Sequence, residues 1–175
     1  MQNDDLKIIE IIGLKNSYDK FNKIEYSYVN NKDGTIRWIY PSKNNYPSFL
    51  SFYSIPGSKA KLKVFTIRLV FYLKIKQFLG FGTFKASLTK SGFLAEILNS
   101  NIHDSYSIFT GTKGENRKII IELNKDKKTF LFVKIAIYKE GMNLIKNEIQ
   151  TIKNLSKLKF NLITIPQIVI DNNTN

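Results

Sequence analysis

Residues 117–150 read RKIIIELNKDKKTFLFVKIAIYKEGMNLIKNEIQ, which has the pattern of an antiparallel hairpin followed by a helix. β-Branched and aromatic residues dominate 117–123 and 129–137, and a polar turn separates these two predicted strands. Apolar residues then recur at helical spacing over 141–158, and a last apolar run, 163–170, predicts another strand. This order indicates an α+β fold in which one helix packs on an antiparallel sheet.

A single lysine, Lys134, lies inside the second predicted strand. Alternation along a strand places Phe132 and Ala136 on the same face as Lys134, so both of its neighbours there are apolar. An amine in that setting must reach solvent, bind an anion or be buried at a cost in free energy. Reaching solvent at a sheet edge is the structural interpretation, and anion binding is the functional one.

The predicted helix carries a carboxylate, Glu148, on its apolar side. At about 100° per residue, Glu148 falls near −60° from Ile145, inside the apolar arc that runs from Leu144, near −100°, to Ile149, near +40°. A carboxylate in that position is costly unless it is paired. Lys134 lies on the sheet that the helix covers, so the sequence predicts an ion pair between Lys134 and Glu148. The alternative to a ligand site is a buried pair with a structural role only.

A glycine turn precedes the first of these strands, with Gly111 and Gly114 in the segment TGTKGEN, residues 110–116. Glycine lets backbone amides approach a phosphate closely, although G-x-x-G spacing also occurs in plain turns. The sole histidine, His103, comes before the turn, and we expect it to precede a strand and not to take part in catalysis.

Glycine turn, strand, strand-borne lysine and helix-borne glutamate together resemble the N-terminal lobe of the protein-kinase-like fold. The resemblance is closer to the aminoglycoside/choline-kinase type of phosphotransferase, and within it to bacterial members found with polysaccharide genes. It rests on FTGTKGENRK, VKIA and NEI, and it covers roughly residues 107–170. It implies that Lys134 contacts the phosphates of ATP, that Glu148 orients Lys134, and that Gly111 and Gly114 lie in the turn over the phosphates.

The sequence also departs from that family. The family's catalytic base and metal-binding acid lie in a helical second lobe, whereas the only acidic residue after Glu148 here is Asp171. The turn also lacks the fuller G-x-G-x-x-G pattern. We therefore expect a catalytically incomplete nucleotide-binding lobe, from a truncated or split phosphotransferase. It would be inactive alone, without catalytic or metal-binding residues of its own, and a separate C-terminal catalytic lobe would be its partner.

Residues 1–100 are predicted to form an N-terminal extension, and 101–175 the kinase-like lobe. In the extension, Asp33 and Gly34 lie in a turn between two β-prone runs, which predicts a hairpin. Proline and glycine punctuate 41–57, and this passage is a candidate boundary. The predicted elements of the extension are a strand at 6–14, hairpin strands at 24–29 and 35–40, a long helix at 58–79 and a short helix at 92–98.

The long helix is lysine-rich at both ends and apolar in the middle, at 64–73. That apolar stretch is about half of the 20 residues that a membrane span needs. Its lysines scatter around the helical wheel, which favours a helix packed on the core over an amphipathic helix at a membrane surface.

The net charge of +13 raises a second class of function. A basic module for nucleic acid or for an anionic membrane surface could use the lysines of 58–77. The chain has 24 lysines but only three arginines, and arginine is the residue preferred for forked recognition of phosphate. The lysine excess is also typical of AT-rich codons, and it would then be a solvated coat. A structural accessory protein is the third alternative.

The chain contains no cysteine, which excludes disulfides and zinc–thiolate sites. Its N-terminus is acidic and no small-residue cleavage site follows. We therefore expect a cytoplasmic location.

Overall fold

The computed structural model describes residues 3–15, 23–52, 57–75, 79–160 and 164–169. Over these residues the protein is α+β, with four α-helices and one seven-stranded antiparallel sheet. The strands are β1 (Leu14–Lys15), β2 (Lys23–Asn30), β3 (Ile36–Pro41), β4 (Gly82–Leu88), β5 (Ser105–Phe109), β6 (Lys118–Lys125) and β7 (Lys128–Ala136). The helices are α1 (Asn3–Ile11), α2 (Ser58–Tyr72), α3 (Phe93–Ser100) and α4 (Lys139–Leu155), with a short 3₁₀ helix at Ser48–Phe52.

The strands lie in the order β1-β4-β2-β3-β5-β6-β7. β3 pairs with β5, where Trp38 lies opposite Phe109, so the sheet is continuous across residue 100. The division into 1–100 and 101–175 stays a prediction, and the two segments share this one sheet.

Both predicted hairpins are present. β2 and β3 pair around the turn at Gly34, whose φ of 82° is in the left-handed region that glycine tolerates. β6 and β7 are joined through Asp126 and Lys127, with φ of 51° and 61°. Positive φ at both central residues is typical of a type I′ turn, so this hairpin is tighter than the five-residue turn that the sequence predicts.

The predicted strand at 6–14 is wrong, because most of this segment is helix α1. Asp4 and Asp5 lie in its first turn, where carboxylates favour the positive end of the helix dipole. Ile8, Ile9 and Ile12 are buried at helical spacing, while Leu6 is exposed. The β-branched residues therefore follow a period of about 3.6 residues, and the isoleucine content misled the strand prediction.

Two further corrections concern strands. β4 was missed, although Phe84, Ala86 and Leu88 alternate there with polar residues. It pairs with β2 on one side and β1 on the other. The predicted strand at 163–170 is wrong over 164–169, which form no strand. Pro166 has no amide hydrogen to contribute to a ladder there.

The predicted helices are present with shifted ends. The long helix is shorter than predicted, because α2 gives way at Leu73 to a turn in which Lys74 has a φ of 58°. Residues 76–78, within its predicted range, lie outside the described part of the chain. None of the helices among the described residues is both long enough and apolar enough to cross a membrane.

The two faces of the sheet bury separate apolar clusters. The first cluster joins the face of Ile39 and Ile108 to α1 and α3. The second joins Trp38 and Tyr40 to the 3₁₀ helix and to α2 through Phe71. Neighbouring residues along β3 thus point to opposite clusters, as strand alternation requires.

Candidate functional site

The predicted pair between Lys134 and Glu148 is present: Lys134 Nζ on β7 donates to Glu148 Oε1 on α4. The side chains keep 33% and 38% of their surface exposed, so the pair is open to solvent on one side. The structural alternative is a buried pair, whereas each side chain of this pair is about one third exposed.

The local patterns explain how the two side chains meet. Burial alternates along β7, with Val133 and Ile135 packed against the first cluster and Lys134 on the opposite, exposed face. On α4, Ile149 is half-buried next to Glu148, as the helical wheel predicts. Leu144 is exposed, so the arc that faces the sheet is narrower than the sequence indicates.

The strand register places Lys134 close to the glycine turn. Phe109, Ile120 and Lys134 lie side by side on β5, β6 and β7. Neighbouring strands are about 4.8 Å apart, so the backbone of Lys134 is about 10 Å from the residue at which the turn begins. The turn therefore leaves the sheet at the same end as the ion pair.

The two glycines of the turn have different surroundings. Gly111 has a φ of 78°, and a Cβ there would collide with the backbone oxygen of Lys118. Gly114 has a φ of 140°, and a Cβ there would meet nothing within 4 Å. Gly111 is thus explained by packing within the hairpin, while Gly114 faces open space that a ligand can enter.

Arg117 forms a hydrogen bond across the base of this turn, and the sequence did not identify it as a site residue. It is buried, and its Nε donates to the carbonyl oxygen of Thr110 at 2.9 Å. The Thr110 hydroxyl donates in turn to the carbonyl oxygen of Ile36 on β3. The Arg117 Nη2 is buried and has no acceptor among the described residues. A lone arginine next to a G-x-x-G turn was the available signal.

Glu122 is a second residue that sequence reasoning missed. It is fully buried on β6 and accepts hydrogen bonds from the Ser107 hydroxyl, at 2.8 Å, and from the Thr129 hydroxyl. It lies on the same face as Lys134 and diagonal to it, a position in which residues of neighbouring strands are about 7–8 Å apart. A charged residue in an apolar strand was the signal used for Lys134, and it applied equally to Glu122.

Other features lie outside this region. His103 precedes β5, as expected, and its Nδ1 is 2.8 Å from the carbonyl oxygen of Asn101. An open cleft of about 850 Å³ lies between α4 and the segment 164–169. Its lining includes Lys153 and Gln167 but none of the four predicted site residues.

The described residues thus bring Lys134 and Glu148 into contact and place the glycine turn at the same end of the sheet. Gly114 is open, and Gly111 is packed within its own hairpin. No family model matches the chain, and neither a curated protein nor a solved structure matches it.

Proposed function

We propose that this chain carries the nucleotide-binding part of a kinase-like phosphotransferase. In this proposal Lys134 contacts the phosphates of ATP and Glu148 orients Lys134. The observation that supports it best is the ion pair between the two side chains. In protein kinases a strand-borne lysine and a helix-borne glutamate form such a pair, and phosphoryl transfer requires it.

The exposure of the pair supports a ligand role. A phosphate can approach Lys134 without any opening of the fold, since a third of the side chain is already exposed. An ammonium group has three N–H donors, and Glu148 accepts from one of them. The others remain to donate to phosphate oxygens in the direction that Glu148 fixes.

The glycine turn would supply the second part of the site. The open position of Gly114 leaves room for backbone amides of the turn to approach a phosphate. Arg117 holds the base of the turn through Thr110, which would limit its movement when a ligand binds.

Phosphoryl transfer also needs metal ions and a residue that orients the nucleophile. We propose that a second lobe, on this polypeptide or another, provides these groups. The 175 residues alone are then expected to bind ATP weakly and to transfer no phosphate.

Nucleotide binding is tested by the thermal shift that ATP with Mg²⁺ produces in the purified chain. At a tenfold excess over Kd, a ligand stabilises the folded state by about 1.4 kcal/mol, or roughly 3–5 °C in Tm for a chain of this size. We expect this shift to disappear in Lys134→Ala and to weaken in Glu148→Gln.

Lys85→Ala is the matched control, because Lys85 is an exposed lysine on β4, far along the sheet from α4. It should keep the full shift. A shift that survives Lys134→Ala unchanged would contradict the proposed role of Lys134, and ATP turnover by the isolated chain would contradict the incompleteness.

A further inference from the structure

One face of α2 is apolar, exposed and uncovered by the described residues. Its four large side chains recur at helical spacing and are exposed by 67%, 63%, 43% and 80%: Leu62, Phe65, Leu69 and Tyr72. At about 100° per residue they fall within an arc of about 80°, and at 1.5 Å per residue they span about 15 Å. We call these four residues the α2 stripe.

The opposite side of α2 is attached to the fold. Phe71 is fully buried, with ring centroids 5.7 Å from Tyr40 and 6.2 Å from Phe49. Val64 and Ile67 pack against the same cluster. The helix is therefore fixed with its stripe pointing away from the sheet, which explains why a wheel of the whole helix shows no single apolar face.

Basic side chains flank the α2 stripe. Two lie on each side of it, at about 60–120° from Leu62 on the wheel, and all four are exposed: Lys59, Lys61, Lys63 and Arg68. None of them has a carboxylate partner among the described residues. The sequence from 34 to 95 contains ten lysines and arginines and no aspartate or glutamate.

We propose that the α2 stripe docks on the surface of a membrane that contains anionic lipid. Helices that lie in a membrane interface combine a stripe of leucine and aromatic residues, buried at the headgroup level, with lysines and arginines that contact anionic headgroups. Aromatic residues such as Tyr72 favour that level because one end of the ring is apolar and the other polar. The basic side chains beside α2 thus match the anionic headgroups, and the α2 stripe matches the apolar region just below them.

Other occupants fit this face less well. A second copy of the chain would bring two acid-free basic surfaces together, and like charges repel. A nucleic acid would use the lysines, but phosphate contacts are made by polar and charged groups and leave an apolar stripe unexplained.

Flotation of the full chain with vesicles tests the proposal, using phosphatidylcholine alone and an equimolar mixture of phosphatidylcholine and phosphatidylglycerol. We expect binding to the anionic vesicles that weakens as salt is raised, and little binding to the neutral ones. Lys61→Gln with Lys63→Gln should weaken anionic binding about thirtyfold, because each lysine near the surface contributes about fivefold. Leu62→Gln with Phe65→Gln should weaken it by at least about tenfold.

Two matched control variants test whether the loss of binding is specific to α2. Lys125→Gln with Lys128→Gln removes the same charge from the β6–β7 hairpin. Phe130→Gln with Leu158→Gln removes one exposed phenylalanine and one exposed leucine outside α2. Both controls should bind like the wild type. All variants change exposed residues, so their Tm should stay within a few degrees of the wild type.

Four outcomes would overturn the proposal. The first is absence of binding to anionic vesicles at low salt, and the second is equal loss of binding in the control variants. The third is duplex DNA or RNA binding that is stronger than vesicle binding and insensitive to Leu62→Gln with Phe65→Gln, which would assign the face to nucleic acid. The fourth is a dimer in light scattering that this apolar variant dissociates, which would assign the face to a second copy.

Discussion

Lys134 and Glu148 each remain about one third exposed, and this limits what their ion pair contributes to folding. Solvent-exposed pairs contribute about 0–1 kcal/mol, against about 3–5 kcal/mol for breaking a buried pair. We therefore expect Lys134→Ala and Glu148→Ala each to lower the free energy of unfolding by less than about 1 kcal/mol. Urea denaturation measures this directly.

A loss of several kcal/mol in either variant would instead make the pair structural, as the accessory-protein alternative requires. Combined with the thermal shift, the measurement separates a residue kept for ligand binding from one kept for stability.

Glu122 ties three neighbouring strands together, since Ser107 on β5 and Thr129 on β7 both donate to its carboxylate. Glu122→Ala leaves the buried Ser107 hydroxyl without this acceptor, while the half-buried Thr129 hydroxyl keeps the side-chain oxygen of Asn124 as an acceptor. Such a loss costs about 1–3 kcal/mol, so we expect the free energy of unfolding to fall by about that amount in chemical denaturation.

Glu122→Gln keeps one acceptor oxygen and the side-chain volume, and we expect it to cost clearly less than Glu122→Ala. Glu115→Ala, in the exposed part of the glycine turn, should change stability by less than about 0.5 kcal/mol. Equal stability of the Glu122→Ala and Glu115→Ala variants would contradict the tie between the strands.

The sequence predicted the hairpins correctly because their signals are local: Asp33 and Gly34 alone favour the turn between β2 and β3. It failed at 6–14 and at 164–169, where burial and pairing depend on residues distant in the chain. The isoleucines of α1 are equally compatible with a strand until α3 and the sheet decide which of them are buried. At 164–169 the apolar pattern is that of a strand, but no neighbouring strand pairs with these residues.

The candidate site was half predictable for the same reason. The sequence could match Lys134 with Glu148 because strand periodicity places Lys134 on one face of the strand and helix periodicity places Glu148 on one face of the helix. The two side chains have opposite charges. Arg117 has its partner, Thr110, on the other side of the glycine turn, and Glu122 has its partners, Ser107 and Thr129, on the strands beside it. Those contacts depend on how neighbouring strands are aligned, and the residue periodicity within one segment does not specify that register.

A buried pair of tyrosines couples the two halves of the molecule, since Tyr26 on β2 and Tyr106 on β5 have hydroxyl oxygens 2.9 Å apart. Burial raises the pKa of both phenols above the ordinary value of 10.0. A raised pKa in the folded state means that folding favours the protonated form. Their contribution is therefore complete below about pH 10 and is lost as the pH rises further.

We expect the free energy of unfolding to fall more steeply above pH 10 in the wild type than in Tyr26→Phe with Tyr106→Phe. The double variant removes both hydroxyls together and leaves neither unpaired, so its stability at neutral pH should stay close to that of the wild type. Urea denaturation at pH 8 to 11 gives the two slopes. Identical slopes would show that other groups cause the alkaline loss.

The position of β1 at the end of the sheet has a consequence for the order of folding. β6 and β7 close a two-residue turn, whereas Leu14 of β1 pairs with Leu88 of β4 and encloses all of residues 15–87. The entropy of loop closure rises with the length of chain enclosed, and local contacts form faster than distant ones. The β6–β7 hairpin can therefore form early, and the β1–β4 edge completes the sheet last.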